Sequence, residues 1–83
     1  MSVSTITEIT YEAGHYTEAQ VGEITNSLAA MIDAEIESMT FDNSSDEWNV
    51  ELITEASIHT VDLEIGDYIS GMRGVSAYTY DDK

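Results

Sequence analysis

The side chains of this sequence that could do chemistry are mostly carboxylates. Asp and Glu number 17, whereas Lys and Arg together number two and His two, so the formal net charge is −15. Paired carboxylates perform acid–base catalysis in many enzymes, but acids are so abundant here that no single pair stands out. The question becomes what the carboxylates could bind as a group.

Other catalytic patterns are missing from the sequence. His15 and His59 are far apart and do not form an H-E-x-x-H motif. No serine lies in G-x-S-x-G, and the glycines do not form a phosphate-binding loop followed by lysine. We expect His15 on the surface, His59 in the core or at its rim, and no enzymatic activity or cofactor.

Residues 42–47 (DNSSDE) are the best candidate for a metal site. Asp42, Ser44 and Asp46 fit positions 1, 3 and 5 of a calcium-binding EF-hand loop. Position 6 would be Glu47 instead of glycine, and position 12 would be Ile53 instead of glutamate. We therefore expect a solvated polar loop and no metal ion.

The charge also limits the partners. A chain of net charge −15 repels nucleic acid and anionic membranes, which bind proteins through Lys and Arg. No apolar run approaches the roughly 20 residues of a membrane-spanning helix, and no signal-peptide pattern is present. Cysteine is absent, which favours an intracellular, cytoplasmic location. The acids are then aimed at a basic partner, or they adapt the protein to molar salt.

The element that should organise the fold is a helix over residues 17–39. Its apolar residues recur at helical spacing and form one stripe. Thr17 is a suitable N-cap, and Gln20 follows it at the capping-box spacing. The stripe consists of Val21, Ile24, Leu28, Met31, Ile32, Ile36 and Met39.

Residues 47–65 alternate between apolar and polar side chains, which predicts a β-hairpin. A turn at Glu55-Ala56, or a loop over residues 54–57, pairs Val50 with Val61 and Glu51 with Thr60. Trp48, Val50, Leu52, His59, Val61 and Leu63 would share one face, and Glu47, Glu51, Thr60, Asp62 and Glu64 the other.

The remaining segments complete a single domain over residues 1–83. Residues 2–11 and 75–80 are rich in β-branched and aromatic residues and predict strands. Residues 66–74 suit either a short helical turn or a tight turn, and the last three residues should be loose. We predict an α+β fold of order β-α-β-β-β, an antiparallel sheet of three to four strands with one long helix packed on it. Whether the last strand pairs with the first strand or with the hairpin stays open.

Two rows of carboxylates follow from these elements. One lies on the polar face of the hairpin, where alternate side chains are about 7 Å apart, comparable to the step between phosphates. The other runs along the helix for about 21 Å. The candidate partner-binding residues are Glu47, Glu51, Asp62 and Glu64 on the hairpin, and Glu23, Asp33 and Glu37 on the helix.

A small, cysteine-free, strongly acidic domain of this kind resembles the phage-encoded inhibitors of host defence: anti-CRISPR proteins, anti-restriction proteins and uracil-DNA glycosylase inhibitors. The resemblance covers size and charge over the whole chain and no motif. It implies a non-catalytic nucleic-acid mimic, monomeric or a small homo-oligomer, that blocks the basic nucleic-acid channel of an effector complex in the infected cell. The alternatives are a domain whose acidity is an adaptation to high salt, and an assembly or adaptor protein that docks on a basic partner or on itself through a sheet edge.

Overall fold

A computed structural model of the chain describes residues 4–82. Four strands and two helices follow one another in the order β-α-β-β-α-β. They are β1 (Ser4–Glu12), α1 (Glu18–Met31), β2 (Glu35–Asp42), β3 (Glu47–Thr54), α2 (Ile58–Ile69) and β4 (Val75–Asp82). The α+β class and the antiparallel sheet are confirmed, whereas the single long helix and the order β-α-β-β-β are wrong.

Helix α1 begins as predicted and ends eight residues early. The hydroxyl of Thr17 accepts a bond from the N–H of Gln20, whose side chain accepts one from the N–H of Thr17, so the capping box is formed. The helix ends at Met31 because Asp33 adopts a left-handed conformation, with φ of 54°. The buried hydroxyl of Thr54 donates to the carbonyl of Ile32 at 2.9 Å and ties this end of the helix to β3.

The segment predicted as the second half of that helix is strand β2. A register shift between Ile36 and Ser38, a β-bulge, adds one residue to the strand. Because of it, Ile36 and Met39 pair with Leu52 and Val50, which share one face of β3. A spacing of three that indicates a helix in the sequence is here produced by a bulged strand.

The predicted hairpin over residues 47–65 is wrong in its second half. β3 forms as expected, with Val50 and Leu52 buried and Glu47 and Glu51 on the other side. Its hairpin partner, however, is β2, joined through the turn over residues 43–46. Residues 58–69 form α2, which is capped by the hydroxyl of Ser57. His59 is accordingly exposed on a helix, not in the core.

The sheet order is β2-β3-β1-β4, and every neighbouring pair is antiparallel. This is the split β-α-β, or ferredoxin-like, arrangement. The last strand therefore pairs with the first, and it extends to Asp82 instead of ending at Tyr80. β2 and β4 are the two edge strands of the sheet.

Both helices pack on one face of this sheet. Strand residues Ile9, Tyr11, Val50 and Leu52 join helix residues Val21, Leu28, Val61 and Ile65 in one buried cluster. The hydroxyls of Tyr11 and Thr25 lie 3.0 Å apart inside it, so both buried hydroxyls are hydrogen-bonded. Burial raises the pKa of Tyr11, although its bond to Thr25 opposes that shift.

Candidate partner-binding face

Within residues 4–82, no helix or strand packs on the side of the sheet turned away from α1 and α2, and we call this side the open face. Along β1 and β3 its side chains alternate with the buried ones, and the strand pairings extend the face onto β2 and β4. The open face comprises Ile6, Glu8, Thr10 and Glu12 of β1, Glu35, Ser38, Thr40 and Asp42 of β2, Glu47, Asn49, Glu51 and Ile53 of β3, and Ser76, Tyr78 and Tyr80 of β4. Six of these fifteen residues are acidic, and none is Lys or Arg.

The acids of the open face lie directly opposite one another. Glu8 on β1 pairs with Glu51 on β3, and Glu12 pairs with Glu47, which in turn pairs with Asp42 on β2. Side chains paired across antiparallel strands have β-carbons about 5 Å apart, and like charges at that distance destabilise a sheet. The open face therefore carries two groups of opposed acids, which we call the carboxylate ranks. One consists of Glu8 and Glu51, and the other of Glu12, Glu47 and Asp42.

A neutral polar row separates the two ranks. Thr10 and Asn49 are paired between them, and the threonine hydroxyl donates to the asparagine Oδ1 at 3.3 Å. Along either strand, the acids of one rank are four residues from those of the other, which corresponds to about 13 Å. The two central strands thus present four carboxylates at the corners of a long rectangle.

One corner of the open face is aromatic and apolar. Ile6 lies opposite Ile53 on one side and Tyr80 on the other. The rings of Tyr78 and Tyr80 are 5.5 Å apart, and the Tyr78 side chain is 67% exposed. We call these four residues the aromatic corner.

Hydrogen bonds hold two of the carboxylates. The hydroxyl of Tyr80 donates to Oε2 of Glu8 at 2.7 Å. At the other end of the face, Oδ1 of Asp42 accepts bonds from the hydroxyl and the N–H of Ser44, at 2.6 and 3.0 Å. These bonds, together with those from Ser45, lower the pKa of Asp42.

Among the residues that the structure describes, His15 is a basic side chain that lies close to an acid of the open face. Its Nδ1 lies 3.6 Å from Oε1 of Glu12, and both side chains are at least half exposed. The contact lies at the rim of the face, and the described residues place no Lys or Arg among the carboxylates of its interior.

The seven predicted binding residues do not lie on one surface. Glu47 and Glu51 are on the open face, but Asp62 and Glu64 lie on α2, on the helix side of the sheet. Glu23 is on α1, Asp33 is in the turn after it, and Glu37 is at the bulge of β2. Neither predicted row exists, because one assumed a strand where α2 forms and the other a helix that ends at Met31.

The acids of the open face that sequence reasoning missed are Glu8, Glu12, Glu35 and Asp42. The alternation of β1 already places Glu8 on the polar side of that strand. What it does not indicate is that β3, some 40 residues later, pairs with β1 and brings Glu51 opposite Glu8.

Two depressions lie among the opposed acids of the open face. One is lined by Glu8 and Glu51 and the other by Glu12 and Glu47, and they hold about 100 and 110 Å³, less than the pockets of drug-sized ligands. A larger cavity of about 450 Å³ lies at the end of the face where Glu35 and Ile53 meet Asp33 and Glu55. Within residues 4–82, no group of three His, Cys, Asp or Glu side chains is placed to hold a metal ion.

The described part of the chain also has no helix of the length and apolarity needed to cross a membrane. No protein-family model matches the sequence, and no curated protein is significantly similar to it.

Proposed function

We propose that this protein is a non-catalytic acidic inhibitor whose open face occupies a basic nucleic-acid-binding surface of another protein. The observation that carries the proposal is the direct opposition of acids across the strands, Glu8 with Glu51 and Glu12 with Glu47. Such pairs cost stability in the free protein. A partner that supplies positive charge converts the same pairs into favourable contacts.

A surface built to bind phosphates has the chemistry that this face requires. Arg and Lys side chains make the same charge-assisted hydrogen bonds to carboxylates as to phosphates. The open face offers six carboxylates on three adjacent strands with no competing Lys or Arg among them. Complementary charge also accelerates association, which suits an inhibitor that competes with nucleic acid.

The aromatic corner adds a contact that does not depend on charge alone. Tyr78 lies opposite Glu8 across β1 and β4, so an exposed ring adjoins a carboxylate. An arginine can stack on such a ring while pairing with the acid, whereas lysine lacks the planar guanidinium. The partner surface should therefore be richer in arginine than in lysine at this corner.

The class of partner follows from the resemblance in size and charge to phage-encoded inhibitors. A CRISPR effector complex or a restriction enzyme holds nucleic acid in a basic channel, and the open face would block that channel without any reaction. The protein would act in the cytoplasm of the infected cell, in one-to-one contact with its target.

The test is a binding and competition assay with a charge-reversed pair of variants. Purified protein is titrated against a panel of CRISPR effectors and restriction enzymes, with and without their DNA or RNA. We expect Glu8→Lys/Glu51→Lys to weaken binding by about a hundredfold, since each close charge pair contributes kilocalories per mole. Glu23→Lys/Asp67→Lys is the matched control, because it changes the net charge equally on the exposed surfaces of the two helices.

The control should bind within a few-fold of the wild type at equal ionic strength. If both double variants lose affinity equally, total charge and not the open face determines binding. If nucleic acid and the protein bind the target simultaneously without competition, the inhibitor mechanism is wrong.

Adaptation to high salt is the second candidate, favoured by the distribution of the other acids. Glu18, Glu23, Asp62, Glu64 and Asp67 lie on the two helices, away from the open face. Circular dichroism melting at physiological ionic strength and in molar potassium chloride separates the two explanations. An inhibitor folds cooperatively in both, whereas a salt-adapted domain folds only in the molar salt, which screens its self-repulsion.

A further inference from the structure

The two edge strands of the sheet differ in regularity and in charge. Edge strand β2 is interrupted by its bulge and carries Glu35, Glu37 and Asp42. Edge strand β4 keeps an unbroken register with β1 from Val75 to Asp82, and its residues 75–80 carry no charge. Bulges and charges are the usual protection of an edge against pairing with another chain. Up to Tyr80, β4 has neither.

A groove runs beside this unprotected edge. One cavity of about 430 Å³ is lined by Ile58, His59 and Asp62 of α2 together with Ala77, Tyr78 and Thr79 of β4. A second, of about 390 Å³, is lined by Thr5, residues 55–58 and Asp81. The two cavities share Ile58, which is 37% exposed, and we call them together the edge groove.

The edge groove is acidic. Glu55, Asp62 and Asp81 lie along it, and its described lining includes no Lys or Arg. The apolar part is Ile58 on the helix side, while the exposed ring of Tyr78 extends from the same edge onto the open face. An added strand would point its alternate side chains to these two sides.

We propose that β4 and the edge groove bind an extended segment of a partner protein as a fifth strand. In this segment, the side chains on the helix side contact Ile58 and lie near Asp62 and Asp81, so that apolar and basic residues both suit that side. The alternate side chains, arginine above all, face Tyr78. Main-chain hydrogen bonds to β4 provide the affinity, and the side-chain sites provide the preference, as in other cases of strand addition. A second copy of this chain is the poorer occupant, because each copy carries a net charge of −15. This site shares Tyr78 with the aromatic corner, but its main-chain pairing with β4 does not use the opposed acids of the open face and would exist if the proposed inhibition were wrong.

The test uses the intact protein and a labelled peptide of alternating arginine and valine. Its matched control is the same peptide with alternate backbone amides N-methylated, which keeps the side chains and the charge but prevents strand pairing. We expect the unmodified peptide to bind at least about tenfold more tightly, since each lost main-chain hydrogen bond costs about 1 kcal/mol. It should also slow hydrogen exchange of β4 amides and leave that of β2 unchanged.

A pair of variants locates the site on the protein. Ile58→Lys places a positive charge in the edge groove and should weaken the peptide by about tenfold, through lost apolar contact and repulsion. Leu63→Lys is the matched control, because Leu63 is 65% exposed on the same helix and does not line the groove. It should leave binding unchanged. If Ile58→Lys does not fold, the N-methylated peptide still decides the question.

Three outcomes would overturn the proposal. Equal or undetectable binding of the two peptides would mean that strand pairing contributes nothing. Protection that appears on β2 would place the site at the wrong edge. A concentration-dependent dimer that protects β4 without peptide would make a second copy the occupant.

Discussion

The hydroxyl of Tyr80 donates a 2.7 Å hydrogen bond to Oε2 of Glu8 and so holds that carboxylate on the open face. Glu8 lies directly opposite Glu51. Tyr80 therefore fixes the position of one carboxyl group of an opposed pair of acids. The Glu8–Glu51 pair can therefore be used to measure how much opposed acids lower the free energy of unfolding.

We expect Glu51→Gln to stabilise the protein. The change removes one charge of the opposed pair and keeps the shape of the side chain and the Tyr80–Glu8 bond. The gain should be about 0.5 kcal/mol at low ionic strength and should shrink as salt screens the repulsion. Urea unfolding at low and molar sodium chloride measures it.

Asp67→Asn provides the comparison for that experiment. Asp67 is exposed on α2, and its substitution removes one negative charge, as Glu51→Gln does. A gain as large as that of Glu51→Gln would show that only the total charge matters. The cross-strand position of Glu51 would then have no special cost.

We expect Tyr11→Phe to destabilise the protein by about 1–2 kcal/mol, because the buried hydroxyl of Thr25 loses its partner. Adding Thr25→Val should recover part of the loss, since the unpaired hydroxyl is then removed. Tyr16→Phe is a control, because Tyr16 donates an exposed bond to the Arg73 carbonyl and its loss should cost less. Additive effects of the two core changes would argue against a shared bond.

The raised pKa of Tyr11 predicts how the free energy of unfolding changes with pH in the alkaline range. Burial raises the pKa of Tyr11 above its ordinary value of 10.0, so the folded state disfavours the phenolate. The contribution of the neutral Tyr11 side chain to the free energy of unfolding is complete below pH 10.0. It is lost as the pH rises through the pKa of Tyr11 in the folded state. Tyr11→Phe should remove that component of the alkaline decline, as measured by urea unfolding across the range. A decline unchanged in the variant would assign it to other groups.

Gly74 and Gly71 form a natural pair for testing steric fit. Both have positive φ, of 76° and 85°, so alanine is strained at either position. A β-carbon at Gly74 would also lie 2.7 Å from the imidazole of His15, whereas one at Gly71 would have no described atom within 4 Å beyond its chain neighbours. Gly74→Ala should therefore cost about 1 kcal/mol more than Gly71→Ala in thermal or urea unfolding. Equal costs would mean that His15 moves aside freely.

We expect Asp42 to titrate below its ordinary pKa of 3.8, because it accepts bonds from Ser44 and Ser45. The contribution of these bonds to stability is present above pH 3.8 and is lost as the pH falls through the lowered pKa. In an NMR titration of the carboxyl carbon, Ser44→Ala should raise the midpoint more than Ser45→Ala. An unchanged midpoint in Ser44→Ala would contradict the 2.6 Å hydroxyl bond.

Several elements could be predicted from sequence because their signals are local. The capping box of Thr17 and Gln20 and the alternation in β1 and β3 each depend on residues within one segment. Backbone and side-chain periodicity act over a few residues, so a pattern of that length is enough to indicate them.

The two errors arose where one local pattern fits two structures. Ile36 and Met39 continue the helical spacing of α1, and only the left-handed Asp33 and the bulge of β2 turn that spacing into a strand. Val61 and Leu63 alternate as in a strand, but Val61 is buried with Ile65 on α2, whereas Leu63 is exposed. Packing against the sheet decides between these readings, and packing is not a local property.

By itself the sequence determined the charge, the α+β class and which side of β1 and β3 is polar. It did not determine which acids oppose each other, because strand pairing joins segments distant in the chain. Glu8 and Glu51 are brought together by the β1–β3 register, and β4 closes the other side of β1 to place Tyr78 and Tyr80 beside them. The composition predicts that the protein repels anions, but only the tertiary structure, through the burial that fixes this register, brings six of the 17 acids together on the open face.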